Sequence, residues 1–325
     1  MKGQKVMKPT CFVAGLFNYD TFVTKETADG PERVVSQEVG GTGGVVSKLL
    51  ATLGWRTMPV CRFDDSADGM LLRDGLAAYG CDMRYVTNLP DGGTTILSIV
   101  LTKRPDGSYK QRIFRSNSRD KAKGFASRYT RWRFVKIVDA KRIVGEIDVV
   151  PDVFFFDAPA PGHREMASLL RAKGTLVYFE PFPTKDGRSM KCMEVADIVK
   201  FSKQDFPDVS FVENYPDKLF IQTLGGPEGA RFRFPGRDWQ TVPGFPNEKI
   251  SSPLGCGDWT TVGLLTTLWR SGGVKFSGLT PERVAFALSE GQRYASRNCS
   301  YFTTCCDELL DELGVRGIVE KTLET

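Results

Sequence analysis

The order of strand-like and helix-like segments constrains the fold of this chain more than any other feature of its sequence. Apolar runs of strand length cover residues 11–17, 56–61, 153–158, 175–180, 196–201 and 218–225, and segments with helical periodicity cover 43–54, 67–80 and 163–174. Strands that alternate with helices indicate a mostly parallel sheet with helices on both faces. We therefore predict an α/β fold built around one such sheet.

Two stretches interrupt this alternation. Residues 19–39 and 94–115 have the pattern of antiparallel strands, and Pro105-Asp106-Gly107 separates two alternating runs, which is a strong hairpin signal. Strands of this kind do not fit easily into a central parallel sheet. We expect them to form a small separate sheet that acts as a lid on a single domain covering residues 1–325. The edges of that sheet are available for pairing in a homodimer.

The composition excludes several classes of protein. No apolar run approaches the roughly 18–20 residues that a membrane-spanning helix needs, and the basic N-terminal residues precede no apolar segment of a secretory signal. None of the 8 cysteines forms a CxxC pair, so a zinc ribbon is not expected, and the adjacent Cys305 and Cys306 favour a reducing compartment. We expect a cytoplasmic protein that does not bind membranes.

The positive charge is concentrated in one part of the chain. Residues 103–142 contain 14 Lys and Arg but 3 Asp and Glu, although the formal charge of the whole chain is only +5. We interpret the segment as a solvated hairpin and helix whose aromatic residues face the core. The alternatives are a field that attracts a phosphate-bearing ligand and, as the weakest, nucleic-acid binding.

A glycine-rich turn at the start of a helix carries the main functional hypothesis. The sequence Gly255-Cys256-Gly257-Asp258 leads directly into an apolar helical segment. The free N–H groups and the positive dipole end of such a helix favour a bound anion. Asp258 would lie in the first turn, beside the anion, where it can accept a proton from an attacking hydroxyl. The alternative is an ordinary helix-capping turn.

Three further segments bear residues that could contact a ligand. Asn18 and Asp20 follow the first predicted strand, where side chains of an open α/β sheet point into the usual ligand crevice. Residues 39–44 contain four glycines, and residues 223–229 form a glycine-rich end of a strand. Close approach of the backbone to a ligand explains these glycines, and tight turns or close packing explain them equally well.

Taken in order, these segments resemble the ribokinase-like (PfkB) family of carbohydrate kinases over nearly the whole chain. The matching positions are Gly15, Asn18 and Asp20; the loop from Gly40 to Val45; residues 53–69; Thr223, Leu224 and Gly225, with Gly229 displaced; and Ser252 to Asp258. The resemblance implies an ATP-dependent kinase that phosphorylates a hydroxyl of a small sugar or sugar-like substrate.

The resemblance also implies a role for each matching residue. Asp258 would be the catalytic base, and the amides of Gly255, Cys256 and Gly257 would form the anion hole. Asn18, Asp20, Gly40, Gly41 and Gly44 would hold the sugar, and Thr223, Gly225 and Gly229 would lie along the nucleotide. Asp157 is a further candidate for contact with a substrate hydroxyl, with a role at a helix start as the alternative. Mg²⁺ would accompany ATP, with Asp205 as an indirect contact.

Several departures from the family pattern leave an alternative open. Ser252 replaces the first acid of the family's last motif, so the use of a monovalent cation is uncertain, and Ser202 begins the altered N-x-x-E motif that ends at Asp205. Val45 makes the substrate loop less polar. The alternative is a catalytically weak or inactive protein that binds a sugar or a nucleotide on the same fold. His163, the single histidine, is expected at the surface or at a helix start, so a Ser-His-Asp triad is not expected.

Overall fold

A computed structural model describes residues 8–27, 30–89, 94–104, 109–114, 134–247 and 250–321. Its strands, in chain order, are β1 (Thr10–Ala14), β2 (Asn18–Lys25), β3 (Arg33–Gly40), β4 (Arg56–Pro59), β5 (Cys61–Phe63), β6 (Val86–Asn88), β7 (Ile96–Lys103), β8 (Tyr109–Phe114), β9 (Val153–Phe156), β10 (Leu176–Phe179), β11 (Ile198–Ser202), β12 (Leu219–Thr223), β13 (Ala230–Arg233) and β14 (Trp239–Val242). Its helices are α1 (Thr42–Thr52), α2 (Ala67–Ala78), α3 (Ile137–Glu146), α4 (Pro161–Ala172), α5 (Arg188–Met193), α6 (Cys256–Arg270), α7 (Pro281–Asn298), α8 (Asp307–Leu313) and α9 (Ile318–Lys321).

The largest sheet has eight strands in the order β14-β13-β12-β11-β10-β9-β1-β4. The strands from β12 to β4 pair in parallel, and β13 and β14 continue the sheet in antiparallel pairing. This arrangement, together with the small separate sheet described below, confirms the predicted α/β class. The apolar run at 56–61 was expected to be one strand. The chain instead leaves the large sheet after Pro59 and forms β5, which pairs in parallel with β6.

The large sheet is buried on both faces, as its continuous apolar strands require. Successive side chains of a strand point to opposite faces. Phe155 and Tyr178 accordingly pack into one hydrophobic cluster, with helices α1, α6 and α7, and Phe154 and Phe156 pack into the other, with helices α3 and α4. Helices therefore cover both sides of the sheet, and the carboxyl ends of its parallel strands are left to form a site.

The small sheet has four strands in the order β3-β2-β7-β8. The pairs β2–β3 and β7–β8 are antiparallel, as predicted, but β2 and β7 run parallel to each other. The expectation of purely antiparallel pairing was therefore wrong at this junction, because two separate hairpins join along their edges. That the small sheet acts as a lid stays a prediction, as do the single domain and the homodimer.

None of the helices within the described residues is long and apolar enough to cross a membrane.

Candidate active site

A cavity of about 590 Å³ lies between the carboxyl ends of the large sheet and the small sheet; we call it the first cavity. It is lined by several of the residues singled out from the sequence, namely Asn18, Asp20, Gly41, Asp157, Asp205, Thr223, Gly255, Gly257 and Asp258. Leu97 and Ile99 of β7 line it from the small sheet. Residues that are far apart in the sequence, such as Asp20 and Asp258, therefore line the same cavity.

Asp258 lies in the first turn of α6, which begins after Gly255 in a left-handed conformation with φ of 78°. The left-handed backbone explains glycine at this position, because other residues rarely adopt it. Burial and the charge of Glu180 raise the pKa of Asp258 to about 7, although the positive charges of Lys200 and Lys48 oppose the shift. A carboxylate with this pKa is suited to accept a proton near neutral pH.

The N-terminal end of α6 lies at the first cavity, where Gly255 and Gly257 are part of the wall. The N–H groups of a first helical turn have no partners within the helix, so they are available to an anion. The amide of Cys256 makes only a long hydrogen bond of 3.4 Å to the carbonyl of Pro253. The geometry therefore provides amide donors and a candidate base at one end of one cavity.

Three residues at this end, Lys200, Glu180 and Thr261, were not identified from the sequence. Lys200, at 3% exposure on β11, donates a hydrogen bond of 2.6 Å to the carbonyl oxygen of Gly257 and forms a 3.0 Å ion pair with Glu180. Thr261 of α6 donates a hydrogen bond to Glu180. One feature of the sequence could have identified Lys200. It lies inside the apolar run at 196–201, and a buried charged side chain needs a partner.

Asn18 and Asp20 form the opposite end of the first cavity. They lie on β2 of the small sheet rather than at the end of β1, because the chain turns away from the large sheet after Ala14. The amide of Asn18 donates a hydrogen bond to Asp20. Burial and the charge of Glu38 raise the pKa of Asp20 to about 8, so this side chain is mostly protonated at neutral pH.

The glycine loop before α1 packs directly on these two side chains. A Cβ atom on Gly40 would lie 1.8 Å from a carboxylate oxygen of Asp20, and one on Gly41 would lie 2.6 Å from the side-chain oxygen of Asn18. Gly41 lines the first cavity, whereas Gly44 is buried against Val39. Gly41 is therefore placed to contact a ligand, and Gly40 and Gly44 are placed to let the loop approach its neighbours.

Asp157 follows β9 and is almost fully buried at 3% exposure. One of its carboxylate oxygens accepts a hydrogen bond of 2.8 Å from the amide of Leu16, and the other has no hydrogen-bond partner within the described residues. Burial raises the pKa of this carboxyl group well above its ordinary value. An unpaired oxygen in the cavity wall is a candidate contact for a substrate hydroxyl.

A second cavity of about 490 Å³ adjoins the first, and Thr223, Pro253 and Gly257 line both. Gly225 and Gly229, which follow β12, lie in its wall, and apolar side chains such as Phe245 and Ile250 form the opposite wall. The proposed nucleotide residues are therefore together in one place, and the start of α6 lies between the two cavities.

Asp205 lies at the wall of the first cavity, where its side chain accepts a hydrogen bond of 2.7 Å from Ser202. Among the residues that the structure describes, no three His, Cys, Asp or Glu side chains are grouped to hold a metal ion. The protein ligands for a divalent cation would therefore be few, which is usual for Mg²⁺ that is bound with a nucleotide.

Two backbone carbonyl oxygens near Ser252 already accept hydrogen bonds. The carbonyl oxygen of Leu254 accepts a hydrogen bond of 2.6 Å from the amide of Asn298. The carbonyl oxygen of Cys299 accepts hydrogen bonds of 2.7 and 3.1 Å from the amides of Ser251 and Ser252. These oxygens are already satisfied by N–H donors, and Ser252 supplies no negative charge.

His163 was expected at the surface or at a helix start. It does lie near a helix start, but the expected surface position was wrong. Its side chain has 1% exposure, and Nδ1 lies 2.9 Å from the carbonyl oxygen of Ala158. The ring packs against Phe134 and Phe156, and burial lowers its pKa to about 4. His163 is therefore a neutral residue of the core, at the first turn of α4 but away from the first cavity.

The comparisons with known proteins agree with this architecture. No family model matches the sequence, and no curated protein matches it. The structure resembles a fructokinase from Vibrio cholerae solved with fructose, ADP and a calcium ion, with a TM-score of 0.67, 14% identity, and coverage of 95% of this chain and 98% of that one.

Two other solved structures are similar at comparable levels. A ribokinase from Arabidopsis thaliana, solved with ribose and ATP, has a TM-score of 0.60 and 16% identity, with coverage of 98% of this chain and 100% of that one. A nucleoside kinase from Burkholderia thailandensis, solved with inosine, has a TM-score of 0.63 and 16% identity, with coverage of 94% and 98%. The chain therefore has the ribokinase-like fold, as the sequence resemblance implied.

Proposed function

We propose that this protein is an ATP-dependent kinase that transfers the γ-phosphoryl group to a hydroxyl of a small sugar or sugar-like substrate. The observation that carries the proposal is that Asp20 and Asp258 line the same cavity, although 238 positions separate them in the sequence. The second cavity, which meets the first at Gly257, offers a place for the nucleotide. Substrate and ATP would approach each other at the start of α6.

Asn18 and Asp20 at the substrate end, together with Asp157 in the cavity wall, would bind hydroxyl groups. A protonated Asp20 can donate a hydrogen bond as well as accept one, and the unpaired oxygen of Asp157 can accept one. Val45, Leu97 and Ile99 line the same cavity with apolar surface. This mixture of directed polar groups and apolar walls is typical of a site for a small polyol.

At the other end, the chain would act on the transferred phosphoryl group. The amides of Gly255, Cys256 and Gly257 would stabilise its charge, because phosphoryl transfer depends mostly on positioning and charge stabilisation. Asp258, in its deprotonated form, would accept the proton of the attacking hydroxyl. Lys200 would hold the first turn of α6 in place through Gly257 and would add positive charge beside it.

Mg²⁺ supplies charge neutralisation on the phosphates when it is bound together with ATP. Asp205 lines the first cavity and offers carboxylate oxygen atoms, the type of ligand that Mg²⁺ prefers. We assign Asp205 an indirect role, since it is already hydrogen-bonded to Ser202. No monovalent cation is included, because the carbonyl groups near Ser252 are already satisfied.

A panel of ATP-consumption assays tests the proposal. The purified protein is incubated with ATP, Mg²⁺ and single candidates from four groups of substrate: ketohexoses, pentoses, sugar acids and nucleosides. We expect one group to give ATP consumption above the background without substrate, and the phosphorylated product to be detected by mass spectrometry.

The same samples discriminate the alternative of a protein that binds without transferring. Binding of ATP is measured by the shift of the thermal unfolding midpoint, because a ligand that binds only the folded state stabilises it. A shift with ATP and no turnover across the panel would favour the binding protein and contradict the kinase.

A further inference from the structure

Two cysteine thiols lie in contact at the start of α6. The sulfur atoms of Cys256 and Cys299 are 2.9 Å apart, and both residues are free cysteines in this structure. Cys256 is the first residue of α6 and is one of the proposed anion-hole residues, whereas Cys299 directly follows α7. Nothing in the proposed phosphoryl transfer requires a thiol at either position.

The helix packing holds the two thiols together. Helices α6 and α7 lie against each other, and a Cβ atom on Gly263 would lie only 2.6 Å from the Cα atom of Gly291. This close approach fixes the register in which the start of α6 lies opposite the end of α7. The sulfur of Cys256 also lies 3.4 Å from the carbonyl oxygen of Ala295. The thiols are therefore neighbours because of the backbone and not because of side-chain rotation alone.

The step from contact to a covalent bond is short. A disulfide has a sulfur–sulfur distance of about 2.05 Å, so the two sulfur atoms of this pair would have to approach by about 0.9 Å. Both thiols have access to the second cavity, because Cys256 and Cys299 line it. A small oxidant can therefore reach the pair through the space that we assign to the nucleotide.

The two thiols also differ in reactivity. Either sulfur can donate the hydrogen bond across this contact, and the contact lowers the pKa of Cys299. The same contact, with burial, raises the pKa of Cys256. Since the thiolate is the nucleophile, Cys299 would react first and Cys256 would resolve the product.

We propose that Cys256 and Cys299 form a reversible disulfide that links the anion-hole turn to the end of α7. With hydrogen peroxide as the oxidant, the thiolate of Cys299 attacks one peroxide oxygen and becomes a sulfenic acid, and the other oxygen leaves as hydroxide, which is protonated to water. The sulfur of Cys256, on losing its proton, then attacks the sulfenic sulfur and displaces a second water. Two thiols lose two electrons and two protons in total, and one peroxide is reduced.

The consequence for activity rests on the proposed kinase function. The disulfide would pull the side chain of Cys256 toward α7 and would shift the amide that belongs to the anion hole. Because a displacement of about 1 Å in a catalytic group can reduce turnover by about a hundredfold, we expect the oxidised protein to be at least about tenfold less active. A dithiol reductant would restore the activity by thiol–disulfide exchange.

The test begins with a measurement that does not depend on activity. The folded protein is treated with hydrogen peroxide, unreacted thiols are alkylated after denaturation, and the peptides are analysed by mass spectrometry. We expect a peptide pair linked through Cys256 and Cys299, which disappears after dithiol reduction. Alkylation of both cysteines in the peroxide-treated protein, or linkage of either one to a different cysteine, would overturn the inference.

Variants then test whether the disulfide affects activity. For each protein, the activity after oxidation is divided by the activity after reduction. Cys299→Ser and Cys299→Ala should both have a ratio near one, whereas the matched control Cys306→Ser should lose activity on oxidation as the parent does. If the linked peptide forms but the reduced protein shows no turnover, the kinase proposal fails and the disulfide stands. If turnover is present and no linked peptide forms, the disulfide alone is wrong.

Discussion

The two ends of the first cavity are formed by different chemical groups. The end at Asn18 and Asp20 consists of buried side chains, and the pKa of the Asp20 carboxyl group is raised. The end at α6 consists mainly of backbone amides, with Lys200 and Asp258 beside them. A substitution changes the groups that a side chain offers to a substrate, whereas every residue except proline offers the same backbone N–H group. Under the proposed function, the first end would govern recognition and the second end would govern phosphoryl transfer.

The largest effect is expected at the α6 end, from the substitution Asp258→Asn. The amide is similar in size but cannot accept the hydroxyl proton, so turnover should fall by about 10²–10⁴-fold. Substrate and ATP binding should be little changed, because the helix start is intact. The measurement is kcat with the active substrate, together with the thermal shift by ATP. Turnover within a few-fold of the parent would show that Asp258 is not the base.

A second substitution, Lys200→Met, tests whether Lys200 holds the start of α6 in place. It removes the hydrogen bond to Gly257 and the ion pair with Glu180, which keeps only its hydrogen bond from Thr261 among the contacts described here. We therefore expect kcat to fall by about a hundredfold, a loss typical for one stabilising group. The double variant Lys200→Met with Glu180→Gln is the matched control, because it removes the unpaired charge. If the double variant regains full activity, Lys200 only balances Glu180.

The substitution Asp20→Ala tests the recognition end. It removes the hydrogen bond that the protonated carboxyl group would donate and the one that it would accept; each is typically worth about 0.5–1.5 kcal/mol between neutral groups, so KM for the substrate should rise by about 10–100-fold. The value of kcat should change much less than in Asp258→Asn. An equal fall of kcat in both variants would contradict the division of labour between the two ends.

The pH dependence of the parent gives a smaller and more specific effect. Asp258 has a pKa of about 7 in the free protein and must be deprotonated to accept a proton, so kcat/KM should fall by about tenfold for each pH unit below 7 and level off above it. Residual turnover of Asp258→Asn should lack this slope. A parent profile that rises as the pH falls would have the wrong sign for a base.

The smallest effect is expected from the monovalent cation. Since amide groups already satisfy the carbonyl oxygens of Leu254 and Cys299, replacement of potassium by tetramethylammonium at constant ionic strength should change kcat by less than about twofold. Activation by potassium well beyond this range would show that a cation binds at the α6 end despite the geometry.

Local sequence patterns predicted a large part of the fold. The apolar runs at 153–158, 175–180, 196–201 and 218–225 became β9 to β12, and β7 and β8, on either side of the predicted hairpin turn, pair antiparallel, although the turn itself lies outside the described residues. The glycine before α6 was recognisable because its backbone conformation is restricted mainly to glycine. Such features depend on neighbouring residues, so one sequence is enough to find them.

The contacts between candidate site residues that are distant in the sequence were harder to predict. The ordered motifs placed Asp20 and Asp258 in one proposed site, but the contact of Lys200 with Glu180 and Gly257 joins three separate segments that no local pattern connects. His163 was misjudged for the same reason, because its burial is decided by Phe134 and Phe156 from other parts of the chain.

The sequence by itself determined the alternation of strands and helices, the glycines that the turns require, and the identity of the candidate base. The tertiary structure alone decided that β2 pairs in parallel with β7, and that Cys256 lies against Cys299. The physical reason is that periodicity and backbone freedom are properties of adjacent residues. Strand order and helix register depend instead on how distant surfaces pack, and only the folded chain brings those surfaces into contact.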